Sequence, residues 1–166
     1  MTIFVKTVTL MRAILVLFFS CFILLGCGSS KKAYKKPSEN KTDRIIQQAQ
    51  SFAGTRYKYG GTTKRGMDCS GLVYIAFQNE NMVLPRTSSA MSKKGKPISK
   101  SKIRKGDLVF FKTNKSRRKI NHVGLVTAVD DGVVYFMHAT TSRGVMTSTL
   151  DDVYWRKAYA EARRVL

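Results

Sequence analysis

Acidic residues are scarce in this chain, and their scarcity sets the first limits on its partners. Only 10 Asp and Glu residues accompany 30 Lys and Arg residues among 166, which gives a formal net charge of +20. A balance of this kind attracts acidic partners, of which nucleic acid is the commonest. The basic residues, however, are scattered and do not alternate with aromatic side chains along one stretch. The pattern therefore argues against a nucleic-acid-binding surface.

Cysteine is also rare, and two of the three cysteines belong to an apolar N-terminal segment. Lys6 and Arg12 precede an apolar run over residues 13–25, which is shorter than the roughly 20 residues that a membrane-spanning helix needs. A charged start, a short apolar run and small residues after it are typical of an export signal. We expect residues 1–26 to be a signal peptide that takes Cys21 with it. An uncleaved anchor helix is the alternative.

The end of that segment, Leu24-Leu25-Gly26-Cys27, resembles the lipobox of bacterial lipoproteins. In a lipobox a small residue precedes the cysteine so that a peptidase can cut there, and the cysteine thiol carries diacylglycerol. The resemblance implies that Cys27 is lipidated and links the chain to a membrane. Loss of Lys6 and Arg12 with the signal lowers the net charge from +20 to +18. Gly28 is not the aspartate that often retains lipoproteins at the inner membrane, so we expect the periplasmic side of the outer membrane of a Gram-negative cell.

A polar, basic stretch follows the lipobox. Residues 28–41 lack any apolar period and carry lysines at positions 31, 32, 35 and 36. We expect residues 27–41 to form a flexible tether, which spans at most about 50 Å when extended and nearer 20 Å as a coil. A domain over residues 42–166 would then work close to its membrane. Anionic lipid headgroups and acidic wall polymers are the acidic partners of that compartment, although a merely solvated tether is the alternative for these lysines.

The third cysteine, Cys69, is the only thiol left in the exported domain, so that domain has no partner for a disulfide. Asp68 and Ser70 flank it, glycines loosen the approach, and an apolar stretch over residues 72–77 follows at once. This pattern predicts a thiol at the N-terminus of a helix, where the helix dipole favours the thiolate. We therefore predict that Cys69 is a nucleophile. Burial as a small apolar residue is the alternative.

Histidine is rarer still, since His122 and His138 are the only two. His122 opens one predicted strand and His138 closes the next, and the turn signal Asp130-Asp131-Gly132 between them predicts a hairpin. The first residue of one hairpin strand lies near the last residue of the other, so both histidines come to one end of the sheet. We predict a Cys-His-His set in which His122 takes the thiol proton and His138 orients the imidazole. A zinc site is the alternative, but no close-spaced ligand pair anchors it, and we expect neither metal nor cofactor.

Helical patterns come first along the chain and strand patterns second. Thr42 is expected to cap a helix that ends at Gly54. Residues 81–105 predict an irregular connection with one helical turn at residues 88–91. We predict strands over residues 107–112, 122–129, 133–139, 145–150 and 153–159, which are rich in β-branched and aromatic residues. The order predicts an α+β domain whose helices pack on an antiparallel sheet of about five strands.

Six short motifs, in this order, resemble those of the NlpC family of cell-wall cysteine peptidases, and together they cover the chain from about residue 45 to its end. Each motif is weak alone, but their order is specific. The resemblance implies a minimal papain-like α+β fold and hydrolysis of peptidoglycan stem peptides, typically between D-γ-glutamate and a diamino acid such as meso-diaminopimelate. The motifs are Tyr57-Lys58-Tyr59-Gly60-Gly61, Met67-Asp68-Cys69-Ser70-Gly71-Leu72, Leu84-Pro85-Arg86-Thr87-Ser88, Gly106-Asp107-Leu108-Val109-Phe110-Phe111, Asn121-His122-Val123-Gly124-Leu125 and Met137-His138-Ala139.

The resemblance also assigns roles to individual residues. It makes Cys69 the nucleophile, His122 the base and His138 the third polar residue. It further implies that Tyr57 helps the backbone N–H of Cys69 to hold the oxyanion. Met67 stands where the family usually has a bulky aromatic residue, a departure that leaves the catalytic set intact.

Substrate contacts follow from the same resemblance. Asp68, Ser70 and Arg86 are expected to contact the free amine or the carboxylates of the substrate. The expected partners are thus peptidoglycan stem peptides and, through Cys27, a membrane, with no nucleic acid and a monomeric chain. Two other functions fit the same residues: a non-catalytic peptidoglycan-binding lipoprotein, and an acyltransferase or amidase with the same Cys-His chemistry.

Overall fold

The computed structural model describes residues 40–114 and 118–166, and these residues fall within one compact unit, Ser38–Leu166. The predicted signal peptide, Cys27 and nearly all of the predicted tether lie outside the described residues. Within the described part of the chain, no helix is long and apolar enough to cross a membrane.

The first helix, α1, covers Lys41–Gln50 and begins before the predicted cap. Asn40, not Thr42, is its N-cap, and the Asn40 side chain accepts a hydrogen bond of 2.9 Å from the backbone N–H of Asp43. Asparagine is as good an N-cap as threonine. Asn40 also lies three positions before the acidic Asp43, a spacing that favours Asn40 over Thr42 as the cap. The apolar face of α1 is buried through Ile45, Ile46 and Ala49.

Helix α2, Cys69–Gln78, lies at the centre of the fold. Leu72, Val73, Ala76 and Phe77 are each 0% exposed, because the helix is apolar around most of its circumference and packs against both α1 and the sheet. Its N-terminus coincides with Cys69, as predicted. A short helix, α3, covers Ser88–Met91 and confirms the helical turn predicted there.

The strands within residues 40–114 and 118–166 form two sheets. A small hairpin pairs β1, Thr62–Thr63, with β2, Gly66–Met67. The main sheet consists of β3 Lys96–Ile98, β4 Leu108–Phe111, β5 His122–Asp130, β6 Val133–Thr140, β7 Gly144–Thr149 and β8 Tyr159–Arg164. These six strands of the described residues are antiparallel and lie in the order β3-β8-β4-β5-β6-β7. The predicted strands over residues 107–112, 122–129, 133–139 and 145–150 are therefore confirmed, with no end differing by more than one residue.

The predicted strand over residues 153–159 is wrong. This segment forms helix α4, Val153–Ala158, and the last strand begins only at Tyr159. Thr149 and Asp152 exchange hydrogen bonds between backbone and side chain, and the Asp152 carbonyl then accepts from Arg156 N–H, which starts a helical turn. The buried residues of α4 are Trp155 and Ala158. Their spacing of three is helical, but valine, tyrosine and tryptophan are residue types that favour strands, so the segment was predicted as a strand.

The connection over residues 81–105 is also more ordered than predicted. Besides α3 it contains the edge strand β3 and a 3₁₀ helix, Lys100–Lys102. Strand β3 is short and lysine-bearing, as exposed sheet edges often are, so a period-2 pattern was not visible in its sequence.

Both faces of the main sheet are covered, and the alternation along each strand divides the core in two. Leu108 and Phe110 of β4 face α1 and α2. Val109 and Phe111 face the opposite layer, which includes Trp155 of α4. The helices packed on this antiparallel sheet confirm the predicted α+β class.

Candidate active site

The thiol of Cys69 lies at the first residue of α2, and the Asp68 carboxylate caps that helix. Asp68 Oδ1 accepts from the backbone N–H of Gly71 at 2.6 Å, which fixes the first turn. A side chain at Gly71 would lie 2.1 Å from the carbonyl oxygen of Gly61, so the loop passes close enough to exclude any other residue here. Cys69 is 8% exposed and is the free cysteine of the described residues.

A charged cluster surrounds this helix start. The Arg86 guanidinium binds both oxygens of the Asp68 carboxylate, each at 2.9 Å, and also donates to Ser70 Oγ at 2.9 Å and to the Gly61 carbonyl at 3.2 Å. The Gly60 N–H donates to Asp68 Oδ2 at 2.7 Å. Burial alone would raise the pKa of Asp68, but Arg86 and the two glycine N–H groups lower it below its ordinary value. The cluster therefore holds an ionised carboxylate and a fixed loop beside Cys69.

Asp68, Ser70 and Arg86 are the residues predicted to contact substrate. Their polar groups are engaged with one another and with the loop at residues 60–61. What the geometry shows directly is a positioning role at the start of α2. Contact with a substrate amine or carboxylate stays a prediction for these three residues.

The two histidines meet as the hairpin argument predicts. Strands β5 and β6 pair in antiparallel register, and His122 Nε2 lies 2.9 Å from His138 Nδ1. His138 Nε2 in turn lies 3.0 Å from Ser148 Oγ on β7. If His122 is to accept a proton at Nδ1, its Nε2–H donates to His138 and the Nε2–H of His138 donates to Ser148. The three side chains thus form a series that fixes the tautomer of each ring.

Ser148 is the member of this series that the sequence motifs do not predict. It is buried on a strand that was predicted correctly, and it faces the same layer as His138. His138 pairs with Met146 on β7, and Ser148 lies two positions further along that strand, on the same face of the sheet. Once the strand register is known, this position identifies Ser148 as a neighbour of His138.

Aromatic rings enclose the histidine pair. The indole of Trp155 stacks on His122 with centroids 5.2 Å apart and an interplanar angle of 20°, and it meets His138 edge-on at 4.6 Å. Phe111 and Phe136 lie beside the same rings. This burial lowers the pKa of His122 to about 4. Burial, followed by the charges of His122 and Arg143, lowers that of His138 to about 3. Both rings are neutral at neutral pH.

The thiol is also neutral at neutral pH. Burial raises the pKa of Cys69, and the Asp68 carboxylate adds to that effect. The backbone N–H groups of Val123, Ser70 and Cys69 itself oppose it without reversing it. The helix N-terminus therefore favours the thiolate, as predicted, but does not outweigh desolvation. A base must take the proton.

Tyr57 enters the site from the loop before the small hairpin. Hydrogen bonds from Lys58 N–H to the Met67 carbonyl and from Met67 N–H to the Arg56 carbonyl hold this loop beside β2. Burial raises the pKa of the Tyr57 hydroxyl, and so do the charges that Cys69 and Asp68 carry when ionised. The hydroxyl therefore keeps its proton and is a donor. A role at the oxyanion stays a prediction.

One groove of about 840 Å³ unites these residues. Tyr57, Cys69 and His122 line it, together with Ser148, Trp155 and the turn over residues 140–143. Nothing in the described ranges groups three His, Cys, Asp or Glu side chains in a way that could hold a metal ion, so the zinc alternative gains no support there.

A thiol at a helix N-terminus, beside a hydrogen-bonded histidine pair and an open groove, on helices packed against an antiparallel sheet, defines a thiol hydrolase of the papain-like type. Comparison with known proteins places it more closely. The chain belongs to the NlpC/P60 family, whose profile matches residues 54–164.

Two curated relatives from Escherichia coli K12 illustrate the similarity. The chain is 39% identical over 162 residues to "Probable endopeptidase NlpC", covering 93% of this chain and 100% of that protein. It is 43% identical over 124 residues to "Murein DD-endopeptidase MepS/Murein LD-carboxypeptidase", covering 74% of this chain and 62% of that protein. The predicted family and the cysteine-peptidase class are confirmed.

Solved structures agree on the fold. A crystal structure of an NlpC/P60 family protein from Bacillus cereus superposes with a TM-score of 0.68 at 30% identity, covering 75% of this chain and 40% of that one. An NLP/P60 family protein from Staphylococcus aureus, described as similar to lipoprotein, gives a TM-score of 0.66 at 26% identity, covering 79% and 45%. The predicted papain-like arrangement is thereby confirmed.

Proposed function

We propose that this protein is a peptidoglycan endopeptidase that hydrolyses stem-peptide amide bonds through a thioester on Cys69. The observation that carries the proposal is the placement of the Cys69 thiol in one groove with His122, whose second nitrogen is held by His138 and Ser148. The names of the E. coli relatives support the substrate class.

The chemistry begins from a neutral thiol and a neutral imidazole, as the directions of both pKa shifts require. As Cys69 Sγ attacks the scissile carbonyl carbon, its proton passes to His122 Nδ1. The resulting imidazolium is stabilised through His138 and then gives its proton to the leaving amine. Water attacks the thioester with His122 as base, releasing the carboxylic acid and restoring the thiol.

The developing oxyanion needs donors. The Cys69 backbone N–H lies at the start of α2, where no helical carbonyl accepts it, and the protonated Tyr57 hydroxyl is a second donor in the groove. In other acyl-transfer enzymes the loss of one such donor costs roughly 10²–10³ in rate. We assign the oxyanion site to these two groups.

For the bond cleaved, we propose the amide between D-γ-glutamate and a diamino acid such as meso-diaminopimelate. A second candidate is the cross-link between two D-configured centres, which the 43% identity to a relative named as a DD-endopeptidase favours. The leaving amine belongs to the diamino acid in both cases, so the same proton transfer from His122 serves either bond. The mass of the released fragments distinguishes the two.

We also propose that Cys27 carries a lipid anchor at the periplasmic side of the outer membrane. The lipobox-like Leu24-Leu25-Gly26-Cys27 supports this proposal. Membrane fractionation of the full chain and of Cys27→Ala tests it: the variant should leave the membrane fraction, and incorporation of labelled lipid by the variant would remove the assignment.

Digestion of purified muropeptides tests the proposed activity. The full-length chain should release fragments with the masses of one of the two cleavages, and Cys69→Ala should release none. Cleavage by both proteins at equal rates, or by neither from about pH 4 to 9, would reject the peptidase. Transfer of the acyl group to an added amine in place of water would instead identify an acyltransferase.

A further inference from the structure

Arg143, in the turn between β6 and β7, stands out among the groove's lining residues because it is the only permanent cation that the described residues contribute there. The other ionised side chain lining the groove is Asp152. Asp152 already accepts from the Thr149 N–H at 3.1 Å, whereas Arg143 makes no ion pair with any described residue. A cation without a partner in a groove is available to a ligand.

The backbone beneath Arg143 is fixed. Its N–H donates to Thr140 Oγ1 at 3.0 Å. The next residue, Gly144, has φ +68°, and a Cβ there would lie 2.2 Å from the Thr55 carbonyl oxygen. Val145 N–H donates to that same carbonyl at 2.8 Å, and Gly54 N–H donates to the Val145 carbonyl at 2.9 Å. The turn is therefore tied to the segment that leads into Tyr57, which reduces the ordering cost of binding to the exposed guanidinium.

Arg143 shares the groove with the reacting groups. It lines the same groove as Cys69 and His122, and its charge is felt at His138. None of the lysines among the described residues lines this groove, so Arg143 is the cation placed to meet a peptide bound there. A guanidinium recognises a carboxylate through two parallel hydrogen bonds.

We propose that Arg143 determines specificity by binding a free carboxylate of the substrate near the scissile bond. The proposal rests on the proposed function, because stem peptides supply such carboxylates. Two sources share this chemistry: the α-carboxylate of the γ-linked glutamyl residue, and the free carboxylate of the diamino acid. Arg143 acts on binding and orientation and takes no part in proton transfer.

The test compares four synthetic stem peptides: the parent, one amidated at the glutamyl carboxylate, one amidated at the diamino-acid carboxylate, and one amidated at both. Full-length wild type should lose roughly ten-fold in kcat/KM, mainly through KM, when the recognised carboxylate is amidated. Arg143→Gln should lose a similar factor on the parent peptide and nothing further on that amide. Arg143→Lys should recover part of the loss. Arg104→Gln, which removes an exposed cation outside the groove, is the control of equal charge and should match wild type.

The proposal would be overturned if amidation still lowered kcat/KM about ten-fold in Arg143→Gln, as it does in wild type, or if Arg104→Gln lost as much activity on the parent peptide as Arg143→Gln. Isothermal titration calorimetry on Cys69→Ala and on Cys69→Ala with Arg143→Gln repeats the comparison without turnover. A binding preference for the free carboxylate that disappears with Arg143 supports the site even if no bond is cleaved, so failure here is distinguishable from failure of the peptidase. If the Cys69→Ala chain binds the free-carboxylate and amidated peptides equally well, the proposed role of Arg143 is rejected.

Discussion

The two sides of the active site are held by opposite physical means. At the thiol end, defined by Asp68, Cys69, Ser70 and Arg86, an ionised carboxylate accepts five hydrogen bonds from its surroundings. At the histidine end, defined by His122, His138, Ser148 and Trp155, neutral rings are excluded from water by aromatic side chains. Charge fixes the nucleophile in place, and the absence of charge keeps the base ready to accept its proton.

This difference assigns separate tasks to the two ends. A raised thiol pKa and lowered imidazole pKa values disfavour a resting ion pair, so proton transfer accompanies attack on a bound substrate. The thiol end contributes position and the histidine end contributes chemistry. Substitutions at the two ends should therefore separate stability from catalysis.

The largest effect is expected at the histidine end. His122→Ala should lower kcat/KM for stem-peptide cleavage by about 10³-fold or more, because the neutral thiol loses its proton acceptor. The alkylation rate of Cys69 by iodoacetamide should fall with it, while an unchanged circular dichroism spectrum serves as the control for folding. Alkylation at the wild-type rate would show that His122 does not activate Cys69.

Acidification should weaken the histidine end before the thiol end. The folded-state pKa values of His122 and His138 lie below 6.5, so the unfolded chain binds more protons and stability falls as pH drops from about 6.5 towards 4. The expected loss for the two histidines together is on the order of 5 kcal/mol at about pH 4.5. The lowered pKa of Asp68 preserves its contribution until pH falls below 3.8. Urea denaturation between about pH 7 and 4.5 measures this, and a flat profile would contradict the buried neutral pair.

At the thiol end, stability should suffer more than chemistry. Asp68→Asn removes one charge from a half-buried pair and leaves Arg86 without its carboxylate, at a cost of about 2 kcal/mol once the partial exposure of Arg86 is allowed for. Chemical denaturation measures the loss. Glu161→Gln, which breaks the more exposed pair with Arg163, is the matched control and should change stability little. An equal loss of unfolding free energy in both variants would show that the Asp68 cluster stabilises the fold no more than an exposed ion pair does.

The smallest effect is expected at Ser148, the last member of the hydrogen-bonded series His122–His138–Ser148. Ser148→Ala deprives His138 Nε2 of its partner at 3.0 Å, so kcat should fall about ten-fold with KM nearly unchanged. Ser148→Thr keeps the hydroxyl and should retain most of the activity. A loss confined to KM would place Ser148 in substrate binding and not behind the histidines.

The two ends also differ in how far the sequence predicts them. Asp68, Cys69 and Ser70 are contiguous, and a cap followed by an apolar run is a local signal, so the helix start was predicted to the residue. The proximity of the two histidines is predicted by a single turn signal, Asp130-Asp131-Gly132. Ser148 and Trp155 depend on sheet register and on the packing of α4, which no local pattern encodes. The same non-local packing explains why β-forming residues at positions 153–155 lie in a helix.

A direct test of the account is the mass of the intact full-length chain, quenched in acid during turnover of a stem peptide. Thiolate attack predicts a transient adduct equal to the acyl half of the substrate, mapped to Cys69 and absent from Cys69→Ala. The adduct mass would also identify the bond. Product formation by wild type with no adduct on Cys69, together with cleavage by Cys69→Ala, would contradict the covalent mechanism.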